Sequence, residues 1–105
     1  MAARKKASRD SSPYGLAAAW IDQSAEAVVA LQAELVRRNA VGPASGGPGE
    51  QEKADFVEAW MTSQGFPSVL RLTAMDNGVP RPNLACVLPG RDRSRRLWIM
   101  SHLDV

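Results

Sequence analysis

The chain contains 105 residues, of which 45% are hydrophobic and 23% are charged, and it carries a formal net charge of +2 at pH 7. This composition is typical of one small globular domain and excludes a disordered or fibrous polypeptide. The longest apolar stretches are too short for a membrane span or a secretory signal peptide, so we expect a cytoplasmic protein that does not contact membranes.

The basic residues concentrate at the amino terminus. Residues 1–10 contain four basic residues and one acidic residue, whereas the rest of the chain contains 9 basic and 10 acidic residues. A short terminal segment of Lys, Arg, Ala and Ser is typical of a solvated lead-in, although a binding arm is the alternative. We therefore predict a basic, disordered tail over residues 1–15 and a folded portion over residues 16–105.

Two helices are predicted in the first half of the folded portion. The pair Ser12-Pro13 can start a helix, and a firmer helix with apolar residues at three- and four-residue spacing covers about Ile21 to Arg38. Residues 39–49 are too rich in Gly and Pro for a helix or a strand, so they form a loop that is either functional or a mobile connector. The second helix is predicted from about Glu50 to Gln64, where Gly65 ends it.

The second half of the chain predicts strands. Val69 to Ala74 alternates in polarity, which indicates a half-exposed strand. Its inward side chains would be Leu70, Leu72 and Ala74. Asp76 to Pro82 is a turn cluster, Asn83 to Leu88 predicts a more central strand, and the apolar run Leu97 to Met100 predicts a third strand buried on both faces. The predicted fold class is α/β, with two helices followed by three strands of a mixed sheet.

Four arginines separate the second and third predicted strands. They are Arg91, Arg93, Arg95 and Arg96. A loop tip between apolar strands is a place where charge is easily solvated, so we favour a solvated tip. The alternative is a small α+β binding module that contacts phosphate or RNA through these four side chains, with a purely structural histidine.

His102 and Asp104 follow the last apolar run. His102 is the only histidine, and on an extended segment an aspartate two residues later projects to the same side. Histidine is the commonest metal ligand, and a carboxylate usually fixes its orientation. The pattern fits a metal site in which His102 binds the metal and Asp104 orients it, but a lone histidine is more often structural.

Cys86 and Ser101 are the remaining candidates for a nucleophile. No serine lies in a Gly-x-Ser-x-Gly elbow, and nothing near either residue marks it as activated. Because the neighbours of Cys86 are apolar, we predict that it is a small buried hydrophobe.

Two segments together resemble a known enzyme family. Arg-Pro-Asn-Leu opens the segment from Arg81 to Pro-Gly at residues 89–90, and Leu97 to Val105 ends in Ser-His-x-Asp-Val. They resemble the opening of the zinc-dependent aminoacylase and carboxypeptidase family, which includes acetylornithine deacetylase, succinyl-diaminopimelate desuccinylase and carboxypeptidase G (metallopeptidase family twenty). The resemblance covers about Val28 to Val105 and implies that residues 16–105 are an incomplete amino-terminal portion of the metallohydrolase catalytic domain.

The resemblance also implies an activity. His102 would be the first metal-binding histidine, and Asp104 would orient the site without being a principal ligand. Two zinc ions are expected in the complete enzyme, with cobalt or manganese as substitutes, and metal-activated water would cleave an N-acyl amino acid or a short peptide. We favour the deacetylase and desuccinylase type, in a complete protein able to form a homodimer. The other ligands and the general base would lie beyond Val105, so this chain alone is expected to be inactive.

Overall fold

The computed structural model describes residues 10–105. Its elements in chain order are α1 (Pro13–Gln23), α2 (Ala25–Arg37), a short 3-10 helix (Pro43–Ser45), α3 (Gln51–Ser63), β1 (Leu70–Asp76) and β2 (Val79–Ala85). Helices followed by strands confirm the predicted α/β class, although the numbers differ: the described residues form three α-helices and a two-stranded antiparallel sheet. They divide into two compact units, one ending at Leu35 and the other beginning at Val36.

Helix α1 begins inside the predicted tail. Residues 1–9 of that tail lie outside the described residues, but Ser12 is the N-cap of α1 and its Oγ accepts a hydrogen bond from the Gly15 N–H at 3.0 Å. Pro13 occupies the first turn, where its missing N–H costs nothing. The cap satisfies a helix donor that would otherwise lack a partner, so regular structure within the described residues begins before the predicted boundary at residue 16.

A break at Ser24 separates α1 from α2. The Ser24 Oγ donates to the Trp20 carbonyl at 2.8 Å, and the Ser24 N–H donates to the carbonyls of Trp20 and Ile21 at 3.0 Å. Serine competes with the helical backbone in this way, so the predicted continuous helix from Ile21 to Arg38 is interrupted. Neither α1 nor α2 contains a buried residue, and most of the predicted apolar stripe is exposed, although Leu35 is half-buried.

Helix α3 and the hairpin form the frame of the second unit. The helix follows the predicted bounds to within one residue at each end, and Gly65 follows it with a φ of +80°, a backbone conformation that favours glycine. Helix α3 packs against β2. Ala54 of this helix and Ala40 of the preceding loop are fully buried.

The hairpin turns more tightly than predicted. Asp76 pairs with Val79, so Asn77-Gly78 is a two-residue turn, with φ of +49° and +83°. Asn-Gly is the pair that such turns prefer. The predicted turn therefore ends at Gly78, and the second strand covers Val79–Ala85 in place of Asn83 to Leu88.

The prediction of a third strand is wrong for the described residues, since residues 86–105 form no helix or strand. In the observed register the backbone N–H and C=O groups of Val79 and Arg81 point toward β1. The backbone groups of Pro80 and Pro82 therefore point toward the outer edge of β2. Proline has no N–H, so this edge lacks donors that another strand would need. The four apolar side chains at residues 97–100 are exposed.

The predicted inward face of the first strand is also exposed. This face consists of Leu70, Leu72 and Ala74. Alternation predicts which side chains share a face, but burial needs a layer that covers that face.

In the described part of the chain, no helix has the length and apolarity that a membrane crossing requires.

Candidate metal centre

The structure brings the side chain of His102 next to Asp104. The ring Nδ1 of His102 lies 2.8 Å from the backbone oxygen of Asp104 and 3.4 Å from its Oδ1. A carbonyl and a carboxylate can only accept, so this geometry assigns the proton of the neutral ring to Nδ1 and the lone pair to Nε2. The closer partner is the backbone carbonyl, whereas the sequence predicts the carboxylate in this role.

The Nε2 atom of His102 is accessible. The side chain is 82% exposed, and Nε2 has no hydrogen-bond partner among residues 10–105. A metal-binding histidine commonly donates its other ring N–H to a carbonyl or a carboxylate. The described geometry of His102 therefore matches that of an imidazole ready to bind a metal through Nε2.

Arg81 connects Asp104 to two further carboxylates. Its Nε donates to both carboxylate oxygens of Glu50, at 2.9 and 3.0 Å. Its Nη1 donates to Asp76 Oδ2 at 3.2 Å, and its Nη2 donates to Asp104 Oδ2 at 3.4 Å. Hydrogen bonding and charge from Glu50, supported by Asp76 and Asp104, raise the pKa of Arg81 above its usual value. A single guanidinium thus joins three acidic side chains.

Glu50 is the buried member of this cluster. Its side chain is 8% exposed and lies at the amino end of α3, where its carbonyl accepts the first helical hydrogen bond from the Ala54 N–H at 2.9 Å. A buried carboxylate is costly unless it is paired. Glu50 therefore supplies a fixed anchor for the Arg81 guanidinium.

The Gly/Pro loop of residues 39–49 makes hydrogen bonds next to the cluster. Gly49 has a φ of +84°, and its N–H donates to the Val41 carbonyl at 2.9 Å. At the other end of the loop, the Ala40 carbonyl accepts a hydrogen bond from the Val105 N–H at 3.0 Å. The loop is therefore hydrogen-bonded to the segment that carries His102.

The cluster does not form a closed metal site. Within residues 10–105, no group of three or more His, Cys, Asp and Glu side chains is placed to hold a metal ion. Structural zinc sites use four protein ligands, and catalytic sites use three with one open position. The described residues therefore fit one imidazole ligand of a metal ion, with Asp104 beside it, and not a complete set of ligands.

Arg81 and Glu50 are absent from the sites predicted from the sequence. The sequence predicts Arg81 only as part of a turn and of the Arg-Pro-Asn-Leu segment, and Glu50 only as the start of a helix. Their separation of 31 residues hides the pairing. The sequence feature that could have indicated this pair is the glutamate at a helix start. If that end of the helix is buried, the carboxylate is costly unless a cation pairs with it.

In the described residues, neither the arginine-rich turn of residues 91–96 nor Cys86 shares a hydrogen bond with this cluster. Asp92 Oδ1 accepts hydrogen bonds from the Ser94 Oγ at 2.6 Å and the Ser94 N–H at 2.9 Å, and these bonds lower the pKa of Asp92. They close the arginine-rich turn. Cys86 is half-buried and not buried as predicted, and its thiol donates to the Pro67 carbonyl at 2.9 Å.

Comparison with known proteins adds a distant relative. The chain is 34% identical over 87 residues to an uncharacterized metallohydrolase of Methanocaldococcus jannaschii. The matched region covers 75% of this chain and 21% of that protein, so the chain spans about a fifth of the length of this relative. No family model matches the chain, and no solved structure matches it. The sequence is thus similar to part of a protein named for metal-dependent hydrolysis, a name that specifies neither a substrate nor a metal.

Proposed function

We propose that this chain forms part of a metal-dependent hydrolase and that His102 supplies one of its metal ligands. The observation that carries the proposal is the placement of His102, whose Nδ1 is occupied by Asp104 while Nε2 is exposed and without a partner in the described residues. The similarity to a metallohydrolase over 87 residues supports the same class of activity.

The finer proposal concerns the metal and the bond that is cleaved. We propose zinc, with cobalt or manganese as substitutes, and an amide substrate such as an N-acyl amino acid or a short peptide, with the deacetylase and desuccinylase type favoured. The support is the resemblance of Arg-Pro-Asn-Leu and Ser-His-x-Asp-Val to the zinc-dependent aminoacylase and carboxypeptidase family. A bound zinc ion would polarise the carbonyl and lower the pKa of a water molecule.

The residues of this chain would prepare one side of such a site. His102 would bind through Nε2, and Asp104 would keep the proton on Nδ1. Because a catalytic zinc ion needs about three protein ligands, the others would have to come from residues outside the described part of this chain or from a second copy. Phosphate or RNA binding through the arginine-rich turn gains no support from the comparisons.

Zinc titration of the 105-residue chain tests this proposal. At a complete structural site with four ligands, the binding free energy of zinc is about 10–16 kcal/mol. A single ligand that contributes roughly a quarter of that amount corresponds to a dissociation constant of about 1 mM or weaker. Because His102 is the only histidine, its ring nitrogens give unambiguous signals in long-range proton–nitrogen NMR spectra. We expect zinc to shift the Nε2 signal while Nδ1 keeps its proton.

Two variants provide the controls. His102→Ala should abolish zinc binding, and Asp92→Asn, which removes an exposed carboxylate elsewhere, should leave it unchanged. Zinc bound through Nδ1 would overturn the assignment of Nε2 as the metal-binding atom. Unchanged ring signals at several times the expected dissociation constant would overturn His102 as a ligand. Nanomolar binding of one zinc ion that depends on His102 would refute the requirement for further ligands.

A further inference from the structure

We propose that Arg81 is a positioning residue for the candidate metal centre: by holding Asp104, it sets the tautomer and orientation of His102. This inference rests on the proposed function, because the orientation of His102 matters for hydrolysis only if Nε2 binds a metal. Arg81 itself does not contact His102 in the described structure, so its effect would pass through Asp104.

The three partners of Arg81 differ in how firmly the fold holds them. Glu50 precedes α3 directly, and Asp76 is the last residue of β1. Asp104 lies on a segment without regular secondary structure. Arg81 therefore joins two points fixed by the helix and the hairpin to one point that the local backbone does not fix.

The segment that carries His102 needs such an anchor. The apolar side chains before it, at residues 97–100, are exposed, so burial does not hold this stretch in place. The Val105 N–H donates to the Ala40 carbonyl at 3.0 Å, which fixes the backbone just after Asp104. The bond from Arg81 Nη2 to Asp104 Oδ2 adds a side-chain contact, and Asp104 in turn presents its carbonyl to His102 Nδ1.

The chemistry of the cluster requires arginine. A guanidinium presents five N–H donors in a rigid plane and can bind several carboxylates at once, whereas a lysine ammonium is a compact charge on a flexible stem. Arg81 uses three different nitrogens for its three carboxylates. A lysine could still neutralise the buried Glu50, but it could not also reach Asp76 and Asp104 in the same geometry.

Arg81→Lys is therefore the decisive variant, because it keeps the charge beside Glu50 and removes the reach to Asp104. Arg71→Gln is the matched control: the Arg71 side chain is 26% exposed, as is that of Arg81, and its Nη1 lies 2.7 Å from Asp55 and 2.8 Å from Glu58. Both arginines lie in the hairpin and pair with acidic residues, but only Arg81 contacts Asp104 in the described residues.

Two measurements that require no metal report the effect. In the unmodified chain at a pH where the ring is neutral, we expect NMR to find the proton of His102 on Nδ1. In Arg81→Lys we expect a mixture of tautomers and a two- to fivefold faster hydrogen exchange of the Val105 amide, the size expected for loss of a partly exposed ion pair. Arg71→Gln should leave both quantities unchanged.

The outcomes separate this inference from the proposed function. A folded Arg81→Lys chain that keeps the Nδ1 tautomer and the Val105 exchange rate would overturn the positioning role, whatever zinc does. An altered tautomer in Arg81→Lys, together with a ring that never responds to zinc, would support the positioning role and overturn the metal ligand. Arg81→Gln provides a second reading, since it should change the tautomer at least as strongly.

Discussion

Replacing Gly49 with alanine measures how closely the Gly/Pro loop approaches the hairpin strand that carries Arg81. Gly49 has a φ of +84°, where an L side chain costs about 1–2 kcal/mol. A Cβ at this position would lie 3.0 Å from Val79 Cγ1 and 3.4 Å from the Pro80 carbonyl oxygen. Valine is stiff at χ1, so moving its methyl group adds about 0.5–1.5 kcal/mol.

A second glycine of the same loop separates the two contributions. Gly46 has a φ of +78°, but a Cβ there would meet nothing within 4 Å. Both substitutions also reduce the entropy of the unfolded chain, which offsets about 0.4–1 kcal/mol. We therefore expect Gly46→Ala to lower the free energy of unfolding by about 1 kcal/mol and Gly49→Ala to lower it by about 2 kcal/mol.

Urea unfolding followed by circular dichroism is a suitable assay for this pair. For a small domain the free energy of unfolding falls by about 1–3 kcal/mol per molar urea, so a difference of about 1 kcal/mol separates the two midpoints by about 0.3–1 M. Equal midpoints for Gly46→Ala and Gly49→Ala would refute the close approach of the loop to Val79. An Nδ1 tautomer of His102 that persists in both variants would show that this approach is not needed for the candidate site.

Two further predictions address the surface of the second unit. Ser94→Ala removes one of the hydrogen bonds that lower the pKa of Asp92, so an NMR titration of the Asp92 carboxyl should find its pKa closer to 3.8. A carboxyl group whose pKa is lower in the folded than in the unfolded protein stabilises the fold at a pH above its unfolded-state pKa. That stabilisation is lost as the pH falls through its folded-state pKa. Ser94→Ala should therefore lose less free energy of unfolding on acidification between these two pKa values than the unmodified chain does. Ile99 is 86% exposed, so Ile99→Lys should change the free energy of unfolding by less than about 0.5 kcal/mol while raising solubility; a larger loss of stability would mean that this apolar stretch is covered.

Several features of this protein follow from neighbouring residues alone. Helix α3 lies within one residue of its predicted bounds because Gly65 readily adopts the left-handed conformation that ends it. The contact between His102 and Asp104 is also local because they lie two residues apart, although the closer partner of Nδ1 is the Asp104 backbone oxygen and not the predicted carboxylate. The break at Ser24 is also local, but the apolar period continues through it, so periodicity alone predicts one helix.

Other features depend on residues that are distant along the chain. Arg81 collects partners 31, 5 and 23 residues away, and no local pattern specifies which carboxylates a guanidinium will meet. The predicted third strand also depends on distant residues: Leu97 to Met100 has the composition of a buried strand, but a strand forms only where the segment pairs with a sheet edge, and among the described residues it does not. Propensity and periodicity act between near neighbours, whereas ion pairs and strand pairing depend on how the folded chain brings distant segments together.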